Sequence, residues 1–237
     1  MLTIFCVLIL FFPFGTLCQT WHSRACLDRH LEYLEEVFQR TLHRLENDVK
    51  FCNLKIDDFN QSINNQMYSW RVAGTIHYTN NFLISIEMVD VTRISSMVTR
   101  RMENNIPIYQ AGLQATINFH NPRLGFDVFA ELEDMEDQRY TGVFLFHSIT
   151  FPINIVKNIN TNETAFTFTN AGSSARFARM DSLPNTNVSQ VIGRNFQASL
   201  ISNSFSEWGR NIIIPIMEKI VNTEIEFPTI KLDGCTG

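Results

Sequence analysis

The stretch from Tyr109 to Phe119 reads YQAGLQATINF and decides the fold class. Its apolar or small side chains alternate with Gln, Gly, Thr and Asn, and they are Tyr109, Ala111, Leu113, Ala115, Ile117 and Phe119. Successive side chains of a strand point to opposite faces of a sheet, so this period of two indicates one apolar and one polar face. The pattern is typical of an antiparallel sheet that is wet on one side.

Neighbouring stretches repeat this period of two. Residues 69–78 and 82–88 alternate on either side of Asn80-Asn81, which predicts a β-hairpin with its turn at these asparagines. The polar stretch 53–66 is interpreted as a surface connection. Turn residues predict reversals of the chain at Asn121-Pro122-Arg123 and in the acidic run 131–137. Further strands are expected at 124–132, at 140–156 with an interruption at Pro152, and at 163–169, the last one before a polar loop.

Two segments have a helical period instead. Within 25–50 the apolar residues recur at intervals of three and four, and they are Leu27, Leu31, Leu34, Phe38, Leu42, Leu45 and Val49. From about Val188 the same spacing returns with Pro215 inside it, which predicts a long helix kinked near the proline or two consecutive helices. Because no repeat or linker divides the chain, we expect one α+β domain. Its predicted form is a highly curved antiparallel sheet wrapped around long N- and C-terminal amphipathic helices.

The N-terminus has the pattern of a signal peptide. Residues 1–18 contain no charged side chain and carry an apolar run that ends before Pro13. The run is shorter than the roughly 20 residues that a membrane-spanning helix needs, and small residues precede Gln19. We therefore expect a signal peptide at 1–18, a mature domain at 19–237 and an extracellular location. Sequons that agree with secretion predict glycosylation at Asn60, Asn162 and Asn187.

Removal of the leader would leave Cys26, Cys52 and Cys235, which permit at most one internal disulfide. A helix over 25–50 rises about 1.5 Å per residue, which separates Cys26 from Cys52 by roughly 39 Å. A disulfide needs Cα atoms within about 7 Å of each other. Cys235 is therefore expected to pair with one of the other two cysteines. The remaining thiol is then free, buried or intermolecular.

Composition and motifs exclude several function classes. The 237 residues include 20 Phe and carry a net charge of −5, which leaves no basic field for nucleic-acid phosphates or for docking on anionic membranes. No later stretch is long and uncharged enough for stable membrane insertion. The sequence also lacks a nucleophile elbow, a His-Glu-x-x-His motif and a phosphate-binding glycine loop. We expect no enzyme activity, no catalytic residues, no metal site and no cofactor.

The apolar faces of the sheet and helices either fill a core or line a ligand cavity. Core packing is the simpler interpretation of any single residue. Taken together, a sheet with one apolar face and helices longer than a compact core needs favour a channel for an elongated apolar ligand. The predicted ligand-binding residues are Leu31, Leu34, Phe38, Val72, Ile76, Ile84, Leu113, Ile117, Phe126, Phe144, Ile192, Phe196, Leu200, Phe205, Trp208 and Ile212.

The order of leader, helix, strands and Pro-containing terminal helix resembles the single-domain arthropod members of the tubular lipid-binding superfamily. The chain is most similar to the mite group 7 allergens, which look like half of a bactericidal/permeability-increasing protein. The residues that carry the resemblance are 27–49, Val72-Ala73-Gly74-Thr75-Ile76 through Asn80-Asn81 to Ile84-Ser85-Ile86, and 205–215. The resemblance implies a curved sheet wound round a long helix, with a lipid between them and no covalent chemistry. Related insect juvenile-hormone carriers and takeout proteins have a close N-terminal Cys pair, which this sequence does not have.

Two functions follow as hypotheses. The first is a secreted carrier that holds a lipid or another elongated hydrophobic molecule in an apolar channel. The alternative is extracellular recognition of microbial lipid or lipopeptide surfaces in innate defence, through an exposed apolar tip with residues such as Phe129. A lipid hydrolase ranks third. The sequence leaves the identity of the ligand and the oligomeric state open.

Overall fold

Antiparallel strands make up most of the described chain, and a few helices cover one face of the sheet, which is an α+β architecture. The computed structural model describes residues 26–50, 53–67, 70–103, 106–175 and 180–231. The predicted signal peptide at 1–18 lies outside these residues. The described strands are β1 (Cys26–Leu27), β2 (Lys55–Ile56), β3 (Phe59–Met67), β4 (Trp70–Ser85), β5 (Met88–Glu103), β6 (Ile106–His120), β7 (Arg123–Leu132), β8 (Gln138–Asn158), β9 (Thr164–Phe168), β10 (Gly172–Ala175), β11 (Asp181–Leu183) and β12 (Ile230–Lys231).

The helices lie at the two ends of the described chain. Near the N-terminus, α1 (His30–Arg44) continues as a π-helical turn (Leu45–Val49), so the helical segment is shorter than the predicted 25–50. Near the C-terminus, the helical elements are α2 (Asn187–Asn195), a 3-10 turn (Ala198–Ile201), α3 (Ser202–Trp208), a π-helical turn (Gly209–Ile213) and α4 (Ile214–Thr223).

The sheet has three long rows of strands, each antiparallel to the next: β4 followed by β5, β6 followed by β7, and β8. We call each row a path. Along one edge of β8, β7 pairs with residues 138–145 and β6 pairs with residues 148–158. In the same way β4 runs along β7 and β5 runs along β6. The other edge of β8 carries β11, β10 and β9 in succession, while β2 and β3 pair with the free edge of β4.

All three paths are irregular at the same level of the sheet. Glu87 N donates to His120 O over 3.0 Å, Asn121 N donates to His147 O over 3.0 Å, and Phe146 N donates to Pro122 O over 3.1 Å. Irregular pairing of this kind bends strands and increases their twist. The alignment divides the sheet into a proximal half (β4, β7 and the first part of β8) and a distal half (β5, β6 and the second part of β8).

Two of the predicted turns are wrong. Asn80-Asn81 is a bulge inside β4, because the pairing moves from Thr79↔Asp127 to Phe82↔Gly125 and the strand continues to Ser85. Asn80 has a φ of 50°, and asparagine tolerates this left-handed conformation in a bulge as readily as in a turn. Asn121-Pro122-Arg123 does not reverse the chain either, since β6 and β7 pair in succession with the same edge of β8.

Three other strand predictions also change. The stretch 53–66 is not a mere connection, because β3 pairs with β4 from Phe59↔Tyr78 to Met67↔Trp70. Its polar residues conceal a strand because an edge strand needs few apolar side chains. Pro152 does not interrupt β8, where it pairs with Thr116. The strand near 163–169 is β9, but the short polar strands β10 and β11 follow it.

The helices and the apolar face of the sheet share one hydrophobic core. In the proximal half, α2 packs against β3, β4 and β11. Over the middle, α3 packs against β2 and β10, and in the distal half α4 packs against α1 and β9. The predicted terminal helix is therefore divided into pieces. The main break lies at Phe196-Gln197, and the π-helical turn that precedes Pro215 is a second irregularity.

The predicted disulfide cannot be assigned from the described residues, because Cys52 and Cys235 lie outside them. Cys26 pairs with Lys231 across the two-stranded β1–β12 sheet. This register brings Cys26 close to the chain segment that leads to Cys235. The pairing of Cys235 with Cys26 or with Cys52 stays a prediction.

Candidate functional site

Five aromatic rings meet between α2 and the proximal half of the sheet. The ring of Phe196 lies 4.7 Å from that of Phe144, 5.3 Å from that of Phe126, 5.4 Å from that of Tyr78 and 6.2 Å from that of Phe59, measured between centroids. Phe59 also stacks on Tyr78 at 4.6 Å. We call these five residues the aromatic seam.

The strand pattern explains why four of these rings share one face. Phe126 and Phe144 lie on β7 and β8 at positions where the alternation turns side chains toward the helices, and both are almost fully buried. Tyr78 and Phe59 are opposite each other in the β3–β4 pair. The fifth ring comes from the helical side, because Phe196 ends α2 in an extended conformation with φ −57° and ψ 126°.

A side-chain amide on β3 holds the break at Phe196-Gln197. Gln61 Nε2 donates to Asn195 O over 2.5 Å, and Gln197 N donates to Gln61 Oε1 over 3.1 Å. Asn65 Nδ2 donates to Asn195 Oδ1 over 2.9 Å. Gln61 therefore gives hydrogen-bond partners to two backbone groups that the end of a helix leaves without them. The break depends on contacts between α2 and the sheet.

Met180 fills the space between α2 and the sheet beside the aromatic seam. A Cβ at Gly142 would lie 2.5 Å from Met180 Sδ, and a Cβ at Gly193 would lie against Met180 O. Met180 N donates to Gly193 O over 2.9 Å. Gly142 is paired with Phe126, so the methionine side chain lies next to the seam. The two glycines permit this close approach because they have no side chain.

A cavity of about 350 Å³ opens beside Met180, between β11 and the start of α2. Val143 and Leu183 contribute apolar walls, and Ser182 and Ser189 contribute hydroxyls. Ligand pockets in proteins have volumes of about 300–1,000 Å³ and mainly apolar walls with few polar groups. The cavity is at the small end of this range, and Met180 separates it from the aromatic seam.

Two buried tyrosine hydroxyls have no hydrogen-bond partner among the described residues, those of Tyr33 and Tyr78. Burial raises the pKa of both phenols above the ordinary tyrosine value, so both hydroxyls stay protonated. Tyr78 belongs to the aromatic seam and is 0% exposed, whereas Tyr33 contacts Phe227 beside α1. A buried donor without a partner costs about 1–3 kcal/mol.

Most of the predicted ligand-binding residues lie in the shared core. The buried ones are Leu34, Phe38, Val72, Ile76, Leu113, Ile117, Phe126, Phe144, Ile192, Phe196, Phe205 and Trp208. Ile212 is half-buried against the core. Leu31, Ile84 and Leu200 are 55%, 45% and 43% exposed and lie outside it. The core joins residues from both halves of the sheet, and its role in ligand binding stays a prediction.

Local irregularities explain three departures from the predicted faces. The bulge at Asn80-Asn81 shifts the alternation by one, so that Leu83 is buried and Ile84 is exposed. The break after Phe196 removes the helical i, i+4 relation that was expected between Phe196 and Leu200.

A π-helical turn accounts for the third departure. Its hydrogen bonds link residues i and i+5, so Trp208 shares its face with Ile213 and not with Ile212. Ile213 is accordingly 0% exposed.

Sequence reasoning also missed Phe59, Gln61 and Met180 as site residues. Phe59 and Gln61 lie in a polar stretch, and Met180 has no periodic neighbours.

Four exposed apolar side chains lie toward the far end of the distal half, with Met97 and Ile106 on one face of the β5–β6 pair and Met102 on the other. Met97, Met102, Ile106 and Ile159 are 51%, 55%, 61% and 41% exposed. Asn160 ties the β8–β9 turn to β6, because Tyr109 N donates to Asn160 Oδ1 over 3.0 Å and Asn160 Nδ2 donates to Pro107 O over 3.3 Å. We call the four exposed residues the distal tip.

One cation, Arg100, lies close to the distal tip. Arg100 lies over the ring of Tyr109 at 6.0 Å. Phe129, which was expected at an exposed tip, lies instead in the proximal half, half-buried beneath Arg139 at 5.0 Å.

The predicted glycosylation sites are all exposed. Asn60 is in β3, where its Oδ1 lies 2.8 Å from His77 Nδ1. Asn162 is in the β8–β9 turn, and Asn187 is the first residue of α2. Glycosylation itself stays a prediction.

The described ranges contain no cluster of three or more His, Cys, Asp or Glu side chains that could hold a metal ion. Among the described helices, none has both the length and the apolar character needed to cross a membrane.

Comparison with known proteins gives little further information. No family model matches the sequence. No curated protein matches it either. A solved structure that is similar to this chain is that of lipopolysaccharide binding protein, with a TM-score of 0.41 and 8% sequence identity. The similarity covers 84% of this chain but 39% of that protein, so this chain spans well under half of its length. The likeness to mite group 7 allergens stays a prediction.

Proposed function

We propose that this protein binds a lipid or another elongated hydrophobic molecule between α2 and the apolar face of the sheet. The observation that carries the proposal is the aromatic seam at a break of the terminal helix. A continuous helix would bury its apolar stripe without such a break. Here Phe196 enters the seam from an extended residue, and Gln61 provides the hydrogen bonds that the break requires.

The break also suggests how a ligand enters. Phe196 contacts the other four rings of the seam, so displacing its side chain would leave a space bounded by aromatic faces. An acyl chain that fills this space gains about 0.8 kcal/mol for each buried methylene, before the cost of ordering the ligand and moving Phe196. The cavity beside Met180 provides a route from solvent, and methionine side chains adapt readily to new neighbours.

The cellular setting and the absence of catalysis are part of the same proposal. The predicted leader and the exposed sequon asparagines support a secreted carrier. A binding role without covalent chemistry agrees with a site made of the aromatic seam, the neighbouring side-chain amides of Gln61 and Asn65 and the thioether of Met180.

Native mass spectrometry tests the proposal directly. The protein should be produced in a eukaryotic secretory host, analysed intact and then extracted with organic solvent. We expect a bound lipid-like species in the intact spectrum and its recovery in the extract. Titration with cis-parinaric acid, a fluorescent fatty acid, should then give saturable binding after delipidation. Recovery of no lipid together with no response to the probe would refute the proposal.

The distal tip favours a second candidate function, recognition of anionic lipid surfaces. It combines exposed Met and Ile side chains with Arg100, a local positive charge in a chain whose net charge is −5, and such a combination suits the interface of a negatively charged lipid layer. Co-sedimentation with vesicles of phosphatidylcholine, with and without phosphatidylglycerol, tests it. Replacing both Met102 and Ile106 with Ser should abolish binding to the anionic vesicles. Met88→Ser is the matched control, because Met88 is 54% exposed at the other end of β5.

A further inference from the structure

The hydroxyl of Tyr78 is an unusual feature in the aromatic seam. Tyr78 is 0% exposed, and its neighbours in the seam are the rings of Phe59, Phe126 and Phe196. No described residue accepts or donates a hydrogen bond at this hydroxyl. Phenylalanine would fill the same space without leaving a buried polar group unpaired. The seam therefore contains a hydrogen-bond donor that none of the described residues uses.

Two other polar side chains near the seam, those of Gln61 and Tyr140, have hydrogen-bond partners, whereas Asn81 Oδ1 and Ser182 Oγ are buried without a described partner like the Tyr78 hydroxyl. Gln61 binds two backbone groups at the helix break through both ends of its amide. Tyr140, a buried tyrosine beside α2, has its hydroxyl 3.2 Å from Thr186 Oγ1. Buried hydroxyls normally have a partner from the protein, from water or from a ligand.

We propose that the Tyr78 hydroxyl anchors the polar group of the bound ligand by donating a hydrogen bond to it. The inference rests on the proposed lipid-binding function and narrows the class of ligand. The ligand is then a mainly apolar molecule with a neutral hydrogen-bond acceptor, such as the ester carbonyl or the protonated carboxyl group of a fatty acyl compound, and not a plain hydrocarbon. Its acceptor lies inside the seam, because Tyr78 is fully buried.

Two fluorescent probes separate this anchor from general apolar binding. Cis-parinaric acid carries a carboxyl group, which can enter the buried site in its neutral form and accept a hydrogen bond, and diphenylhexatriene is a hydrocarbon without an acceptor. Tyr78→Phe removes the hydroxyl and preserves the ring. We expect this variant to bind cis-parinaric acid roughly tenfold more weakly than the parent protein and to bind diphenylhexatriene equally well. Without ligand, its thermal unfolding temperature should equal or exceed that of the parent, because the buried hydroxyl has no partner among the described residues to lose.

Tyr33→Phe is the matched control, since Tyr33 also has a buried hydroxyl without a described partner but lies beside Phe227, outside the seam. Its affinity for both probes should match that of the parent. If Tyr78→Phe leaves the affinity for cis-parinaric acid unchanged, or weakens both probes equally, the anchoring role is wrong. If the parent binds diphenylhexatriene but Tyr78→Phe shows no selective loss of affinity for cis-parinaric acid, only the anchoring role is wrong and the proposed function still stands. If the delipidated parent binds neither probe, the proposed function itself fails, and the anchor with it.

Discussion

Replacing Phe196 with Ala tests whether the aromatic seam is a ligand site or only a core. Phe196 is 7% exposed and its ring contacts four others, so the substitution leaves a cavity in the seam. Removal of a buried Phe ring costs about 3–5 kcal/mol of the free energy of unfolding. For a chain of this size, the unfolding temperature should fall by about 6–20 °C.

Ligand binding should change in the opposite direction. The parent protein must displace the Phe196 ring before a ligand can enter, whereas the Ala variant already has the space. We therefore expect tighter binding of cis-parinaric acid in the variant. Saturating ligand should also restore part of the lost stability, about 2.7 kcal/mol at a ligand concentration of 100 times Kd. Fluorescence titration and thermal unfolding with and without the probe measure these effects.

Phe151→Ala is the matched control. Phe151 is 0% exposed and packs against Phe119 at 5.0 Å in the distal half, away from the seam. It should lose a similar amount of stability without any gain in probe affinity. The ligand-site interpretation is refuted if both variants lose stability but neither binds the probe more tightly than the parent. It is also refuted if both variants gain the same probe affinity.

Three further predictions concern the same region and the termini. Phe196→Asp would bury an unpaired carboxylate, so it should either abolish uptake of the probe or unfold the domain; a variant with a native circular dichroism spectrum and parental uptake would remove Phe196 from the site. Gly193→Ala would place a Cβ against the backbone of Met180 and force α2 away from the sheet, which should lower the free energy of unfolding by about 1–3 kcal/mol. Gly112→Ala is its control and should change stability by less than about 0.5 kcal/mol, because the new Cβ meets a flexible Met97 side chain; equal losses in urea unfolding would contradict the packing argument. Peptide mapping without reduction should find Cys235 linked to Cys26 or Cys52, and a Cys26–Cys52 peptide would contradict the expected pairing.

The regular parts of the fold could be predicted from the sequence. In the stretch from Tyr109 to Phe119, the apolar positions of β6 from Ala111 to Phe119 are buried, as the period of two requires, but Thr116 and Asn118 on the other face, which was predicted to be wet, are buried as well. The acidic run after Leu132 does form the turn between β7 and β8. The strand follows from the alternation of side chains along one segment, and the turn follows from acidic side chains that are rarely buried. Both features can therefore be predicted from residues that are neighbours in the sequence.

The candidate site depended on tertiary structure. Asn80-Asn81 has the same local chemistry in a bulge as in a turn, and pairing with β7 decides between them. The break at Phe196-Gln197 is held by Gln61, which is more than 130 positions away in the chain. A helical period alone does not reveal that break, because the hydrogen bonds that stabilise it come from another strand. The aromatic seam exists because folding brings β3, β4, β7, β8 and the end of α2 to one place.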